Sequence, residues 1–201
     1  MSDFAANYLH FFWAGLFKHG QTGGIVPSQR FLIAKMIAPV PETYAGTLIE
    51  LGAGTGALTL RLAARCPAAQ IFACEVNPIL ALDLKRKIAT AGLGGRIELF
   101  TGLAEQLLAR LDKSGVKKPD FIISGIPLGN CGRKRALALI GAIRQALAEG
   151  GRYIQFQHSL LDRKKIGTQF PNLCTVPVFL NFPPAVVYFA RKSKSWRDQA
   201  L

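Results

Sequence analysis

Residues 47–56 read Thr47-Leu48-Ile49-Glu50-Leu51-Gly52-Ala53-Gly54-Thr55-Gly56. The first five form a short apolar run, as a buried strand does, and a helical pattern over 56–65 ends before Pro67. A strand that runs through closely spaced glycines into a helix is the opening of an α/β unit, where the backbone must turn tightly and pass close to a ligand.

Outward from this unit the alternation continues. Strands are expected at 70–75, 96–100, 120–124 and 152–157. Helices are expected from Pro78 to about Ala91, over 103–112 and over 133–148, with glycines after the first and last of these. Such alternation predicts a parallel sheet covered on both faces, with right-handed crossovers. The strand-like stretches 174–180 and 185–190 lie too close together for a crossover and should pair antiparallel. The expected fold is an α/β, Rossmann-like, seven-stranded and mostly parallel sheet closed by a C-terminal antiparallel hairpin. Residues 1–38 read as a helical extension and 39–201 as the α/β domain. In the extension, Phe4, Tyr8, Phe12 and Trp13 belong to an aromatic helix, and Ser28 caps a second helix from Gln29 to about Ala38. The aromatic helix suits a lid over a site and a membrane-surface element equally.

The 201 residues carry 25 Lys and Arg against 12 Asp and Glu, a formal net charge of +13, which favours an anionic partner, nucleic acid or membrane. Basic clusters occur at 85–87, 133–135, 163–165 and 191–194. Cys66, Cys74, Cys131 and Cys174 form no CxxC pair and lack a His at ligand spacing, so reduced structural thiols and no metal are expected. The N-terminus lacks the features of a signal peptide, and no apolar run reaches the ~18 residues of a membrane span. No obligate protein partner is indicated.

The glycine spacing narrows the ligand. Gly52, Gly54 and Gly56 give GxGxG rather than the GxGxxG of dinucleotide folds, whose pyrophosphate needs helix N-terminal donors. An adenosyl sulfonium carries no phosphate and needs only close backbone passage, here along Gly52, Ala53, Gly54 and Gly56. Glu50 suits the ammonium of its methionyl end. Glu75 closes the second strand 19 residues after Gly56. That is near the roughly 20-residue offset at which an acid meets a ribose, and Asn77 lies beside it.

Glu50–Gly56 together with Glu75 resembles the cofactor half of the class I S-adenosylmethionine-dependent methyltransferases, over about residues 45–157. The resemblance implies that the stretch after the third strand, Gly102-Leu103-Ala104-Glu105, contacts adenine. Leu103 stands where an acid is common, which leaves Glu105 or a backbone group near Ala104 for that contact. It also implies that Ser124-Gly125-Ile126-Pro127, after the fourth strand, lies beside the transferred methyl group. This turn is similar to the Asn-Leu-Pro-Tyr-type motif of adenine methyltransferases, but Ser124 replaces the Asn and no aromatic follows Pro127 to stack a base.

Ile25–Arg30, Ser124–Leu128 and Gln155–His158 resemble the small bacterial phospholipid N-methyltransferases, in which a Tyr is usual where His158 stands. That family implies a headgroup amine as acceptor, phosphatidylethanolamine or a related aminolipid, and a cytoplasmic enzyme peripherally bound at the inner face of the membrane. Ser124, the carbonyls of Gly125 and Ile126, and His158 are the candidate amine aligners or proton acceptors. Two rival readings are an RNA adenine methyltransferase, supported by the charge, and a non-catalytic cofactor-binding module, opposed by the intact glycine loop.

Overall fold

The computed structural model describes residues 29–181 and 183–193. The aromatic segment 4–17, the loop 21–27, the Ser28 cap and Lys194 lie outside them.

Helix α1 (Gln29–Ile37) leads into β1 (Thr47–Leu51), α2 (Ala57–Arg65), β2 (Gln70–Glu75), α3 (Pro78–Thr90), β3 (Ile97–Thr101), α4 (Ala104–Lys113) and β4 (Phe121–Ser124). A 3-10 turn (Leu128–Cys131) then precedes α5 (Arg133–Ala146), β5 (Arg152–Gln157), a short α6 (Arg163–Gly167), β6 (Asn172–Val178) and β7 (Ala185–Arg191). The seven strands lie in the order β3-β2-β1-β4-β5-β7-β6. The first five are mutually parallel; β7 pairs antiparallel with β5 and with β6. The expected sheet and terminal hairpin are therefore present. The short α6 and the 3-10 turn are additions, each too brief to show a helical repeat in the sequence.

Alternation along the buried strands builds two cores. Leu48, Ile71 and Ile123 face α1, α2 and α3, with Leu32, Met36, Leu62 and Leu84 packed against them. Ile49, Leu51, Phe72 and Ile122 face α4, α5 and α6, with Leu107, Ile140 and Ile166. Helix α1, read from sequence as part of an extension, buries Leu32, Ile33, Met36 and Ile37 in the first of these cores.

The chain moves outward from β1 through β2 to β3, then returns to place β4 on the other side of β1. The carboxyl ends of β1 and β4 thus flank the switch point, where open α/β sheets leave a crevice for ligands. The Gly125 N–H donates to the Leu51 carbonyl at 2.9 Å and fixes the two strand ends side by side.

Candidate active site

Two cavities meet at Gly52. The larger, about 110 Å³, lies over the first core and is lined by Glu50, Gly54 and Gly125 on the strand side. Leu32, Met36 and Phe156 give it an apolar wall. The smaller, about 40 Å³, lies over the second core between Gly102, Ala104, Glu105, Ile126 and Arg135.

The loop between β1 and α2 has a distinct reason for each glycine. Gly54 sits at φ +57, and a Cβ built there would meet no atom within 4 Å, so the space above it is open to a ligand. Gly56 sits at φ +82 as the left-handed N-cap of α2, and a Cβ there would lie 2.2 Å from Leu84 of α3. Gly56 lets two helices pack; it lines neither cavity. Gly52, Ala53 and Gly54 line the large cavity.

Glu75 is buried, and its two oxygens each hold one backbone donor: Oε2 accepts from Gly54 N at 2.7 Å, and Oε1 accepts from Asn77 N at 2.8 Å. Burial raises its pKa, and the N–H groups of Asn77, Gly54 and Val76 pull it back down. The carboxylate shapes the glycine loop, and its two oxygens are the acceptors a pair of hydroxyls would use. Asn77 has a different task. Its Oδ1 caps α3, accepting from Ile79 N at 2.9 Å and Leu80 N at 3.4 Å.

Glu50 points into the first core beneath the large cavity. Its Oε2 and the Thr59 hydroxyl oxygen are buried without hydrogen-bond partners. Burial pushes its pKa up to about 8, the nearby Thr59 hydroxyl opposes this, and the Glu75 carboxylate adds to it. An acid in this position is short of a cationic partner.

On the other side of Gly52, Ala104 and Glu105 open α4. First-turn N–H groups of a helix have no intrahelical acceptor, so these two remain donors at the rim of the small cavity. Leu103 N is held instead by Gln106 Oε1 at 3.0 Å. Glu105 faces Arg135 at 3.6 Å, and both side chains reach this cavity. Arg135 was legible only as part of a basic cluster; its position comes from the packing of α5 on α4.

The turn after β4 is tied down from three sides. The Ser124 hydroxyl accepts from Ile126 N at 3.2 Å and is fully buried. The Ile126 carbonyl accepts from Gln155 Nε2 and Gln157 Nε2, both at 2.9 Å. Tyr153 donates to Gln155 Oε1 at 2.6 Å and orients that amide. Both lone pairs of the Ile126 carbonyl are therefore used, and Ser124 does not reach the large cavity. Both hold the turn. Pro127 accepts a weak thiol bond from Cys131 through its carbonyl and precedes the 3-10 turn. Gly125 alone of the four lines the large cavity.

His158 is exposed at the same cavity, edge-on to Phe156. Its Nδ1 lies 3.0 Å from the Pro184 carbonyl. A carbonyl only accepts, so Nδ1 carries the proton of this contact, and Nε2 is the ring nitrogen left for another partner. Sequence reasoning missed the contribution of α1 and of Asn181 and Pro183 in the β6–β7 loop, all of which line this cavity.

A methyltransferase-domain profile matches residues 48–151, just over half of the 201 residues, from β1 to the residue before β5. The chain belongs to the methyltransferase-domain family. It is a class I, S-adenosylmethionine-dependent methyltransferase. An ornithine lipid N-methyltransferase from Singulisphaera acidiphila is 28% identical over 187 residues, covering 91% of this methyltransferase and 95% of that protein. Among solved structures, an O-methyltransferase from Bacillus cereus in complex with SAH superposes with a TM-score of 0.63 at 15% identity, over 94% of this chain and 91% of that one. A 16S rRNA N2 G1207 methyltransferase from T. thermophilus, in complex with AdoMet and guanosine, superposes with a TM-score of 0.60 at 23% identity, over 86% of this chain and 45% of that one. These two likenesses bear on the fold.

The residues present fit S-adenosylmethionine. The unpartnered Glu50 oxygen suits an ammonium, Gly54 leaves room for close passage, and Glu75 offers two acceptors to ribose hydroxyls. Ala104 and Glu105 present N–H donors to a flat heterocycle in the small cavity.

Proposed function

We propose that this enzyme N-methylates the headgroup amine of a membrane aminolipid, phosphatidylethanolamine or a relative such as an ornithine lipid. The observation that carries the reading is the likeness to the ornithine lipid enzyme along nearly the whole length of both chains. The acceptor side of the site supports it: Leu32, Ile33, Met36, Leu58 and Phe156 line the large cavity, a surface suited to the carbon skeleton of a lipid headgroup. No stacking aromatic follows Pro127, where Leu128 is instead buried in the second core, and this disfavours a nucleobase.

S-adenosylmethionine supplies an electrophilic methyl group on a sulfonium, whose departure leaves a neutral sulfide. The protein's task is then alignment, exclusion of water and removal of one proton from the amine. Glu50, Gly54 and Glu75 hold the donor; Ala104 and Glu105 fix its base. Ser124, Gln155 and Gln157 lock the turn, and Gly125, which lines the cavity, supplies the backbone acceptor that orients the amine N–H. The apolar wall favours the neutral amine over the ammonium. His158 Nε2 receives the proton at the cavity mouth. The enzyme works at the inner membrane face as a peripheral protein; among the described residues no helix is long and apolar enough to cross a membrane.

Methyl-labelled S-adenosylmethionine, supplied with vesicles of phosphatidylethanolamine, vesicles of ornithine lipid, or total RNA, tests this. Label in a lipid amine is expected. Label in RNA alone, which the +13 charge makes the rival outcome, would replace the reading; bound cofactor with no acceptor labelled would mark a non-catalytic module.

A further inference from the structure

Two loops frame the mouth of the large cavity. The β5–α6 loop supplies His158, and the β6–β7 loop supplies Asn181 and Pro183. The His158–Pro184 contact at 3.0 Å ties them together, and Tyr188 of β7 donates to the Ser159 carbonyl at 2.7 Å. Both loops carry large apolar side chains in water. Leu161 is 83% exposed and Phe179 78%, with Leu160 and Leu180 also more than half exposed. Four such residues on two joined loops make a patch that a protein alone in water does not favour. Directly after the first loop, α6 opens with Arg163 and Lys164, both exposed, and Lys165 beside Asp162. Apolar tips next to cations are complementary to an anionic bilayer, with its carbon interior and charged surface.

We infer that Leu160, Leu161, Phe179 and Leu180 insert into an anionic phospholipid bilayer, with Arg163 and Lys164 on its headgroups, so that the active-site mouth opens onto the membrane surface. This rests on the aminolipid reading and gives it a geometry: a headgroup amine enters the cavity between the two loops while its acyl chains stay in the bilayer.

Sedimentation with vesicles of phosphatidylglycerol in phosphatidylcholine, using the full chain, tests the inference. L161E and F179E should each weaken binding about tenfold or more, while L82E, on exposed α3 surface, should not. The milder L161S and F179S should fall between. S-adenosylhomocysteine affinity and methylation of a short-chain, water-soluble aminolipid should be retained, which excludes misfolding. Vesicle binding by L161E and F179E equal to that of L82E would overturn the inference. So would light scattering that finds a dimer of the wild type dissociated by L161E, because the patch would then be a self-interface. Patch-dependent vesicle binding by a wild type that methylates no lipid would sink the substrate reading and leave this surface standing.

Discussion

Glu50 joins stability to ligand binding. Its folded pKa is raised, to about 8 from an ordinary value near 4.5. A raised pKa means that this group's contribution to stability is full below the unfolded value and is lost as pH rises through the folded one. Glu50→Gln should therefore raise the melting temperature of the cofactor-free enzyme, by about 2–4 °C for each kcal/mol recovered in a chain of this size, and the gain should grow between pH 5 and 9. The same change should weaken S-adenosylhomocysteine binding by tenfold or so, the usual scale for one charge-assisted hydrogen bond. Wild-type affinity should rise with pH up to about 8, because the ligand's ammonium favours the ionised carboxylate. Melting curves and calorimetry across pH check both halves; affinity flat with pH would place the ammonium elsewhere. The two glycines give a paired contrast. Gly54→Ala should cost affinity with about 1 kcal/mol of stability from its left-handed φ, whereas Gly56→Ala should lower the melting temperature more, because its Cβ meets Leu84.

At the scale of elements, the turn after β4 is held by the end of β5. Gln155 and Gln157 both donate to the Ile126 carbonyl, so a double change to Leu should free the turn while leaving the cofactor loop intact. The expected result is a fall of about tenfold to a hundredfold in kcat, the scale of a small misplacement at the reacting centre, with S-adenosylhomocysteine affinity unchanged. Equal losses in both would show that the clamp supports the whole site. The strand pattern and the glycine loop were legible because buried parallel strands are short apolar runs and left-handed turns call for glycine. β1 at 47–51, β2 at 70–75 and β5 at 152–157 fall where the sequence placed them. The clamp was not legible: Gln155 and Gln157 are ordinary alternate residues in a strand, and only the pairing of β4 with β5 brings them to Ile126. Likewise Asn77 reads equally as a ligand or a cap, and Ser124 as a site hydroxyl or a turn lock; which one holds depends on burial.

For the whole molecule, charge and shape act together. The +13 charge and the loops at the cavity mouth predict vesicle binding that weakens with salt but persists, because exposed charges are screened while apolar insertion is not. Binding abolished by moderate salt would reduce the contact to electrostatics alone; binding indifferent to salt would remove the basic clusters from the account. The sheet order explains why donor and acceptor can meet at all: the switch between β1 and β4 opens one crevice, which Gly52 divides into a small compartment by Ala104 and Arg135 and a larger apolar one by Met36 and Phe156. A crystal structure of the enzyme with S-adenosylhomocysteine tests this arrangement most directly. The adenine should lie beside Ala104, the ribose hydroxyls on Glu75, and the amino-acid end over Gly54 toward Glu50, leaving the wall of α1 bare for the acceptor. Adenine found against Met36 and Phe156, with Glu75 untouched, would contradict it.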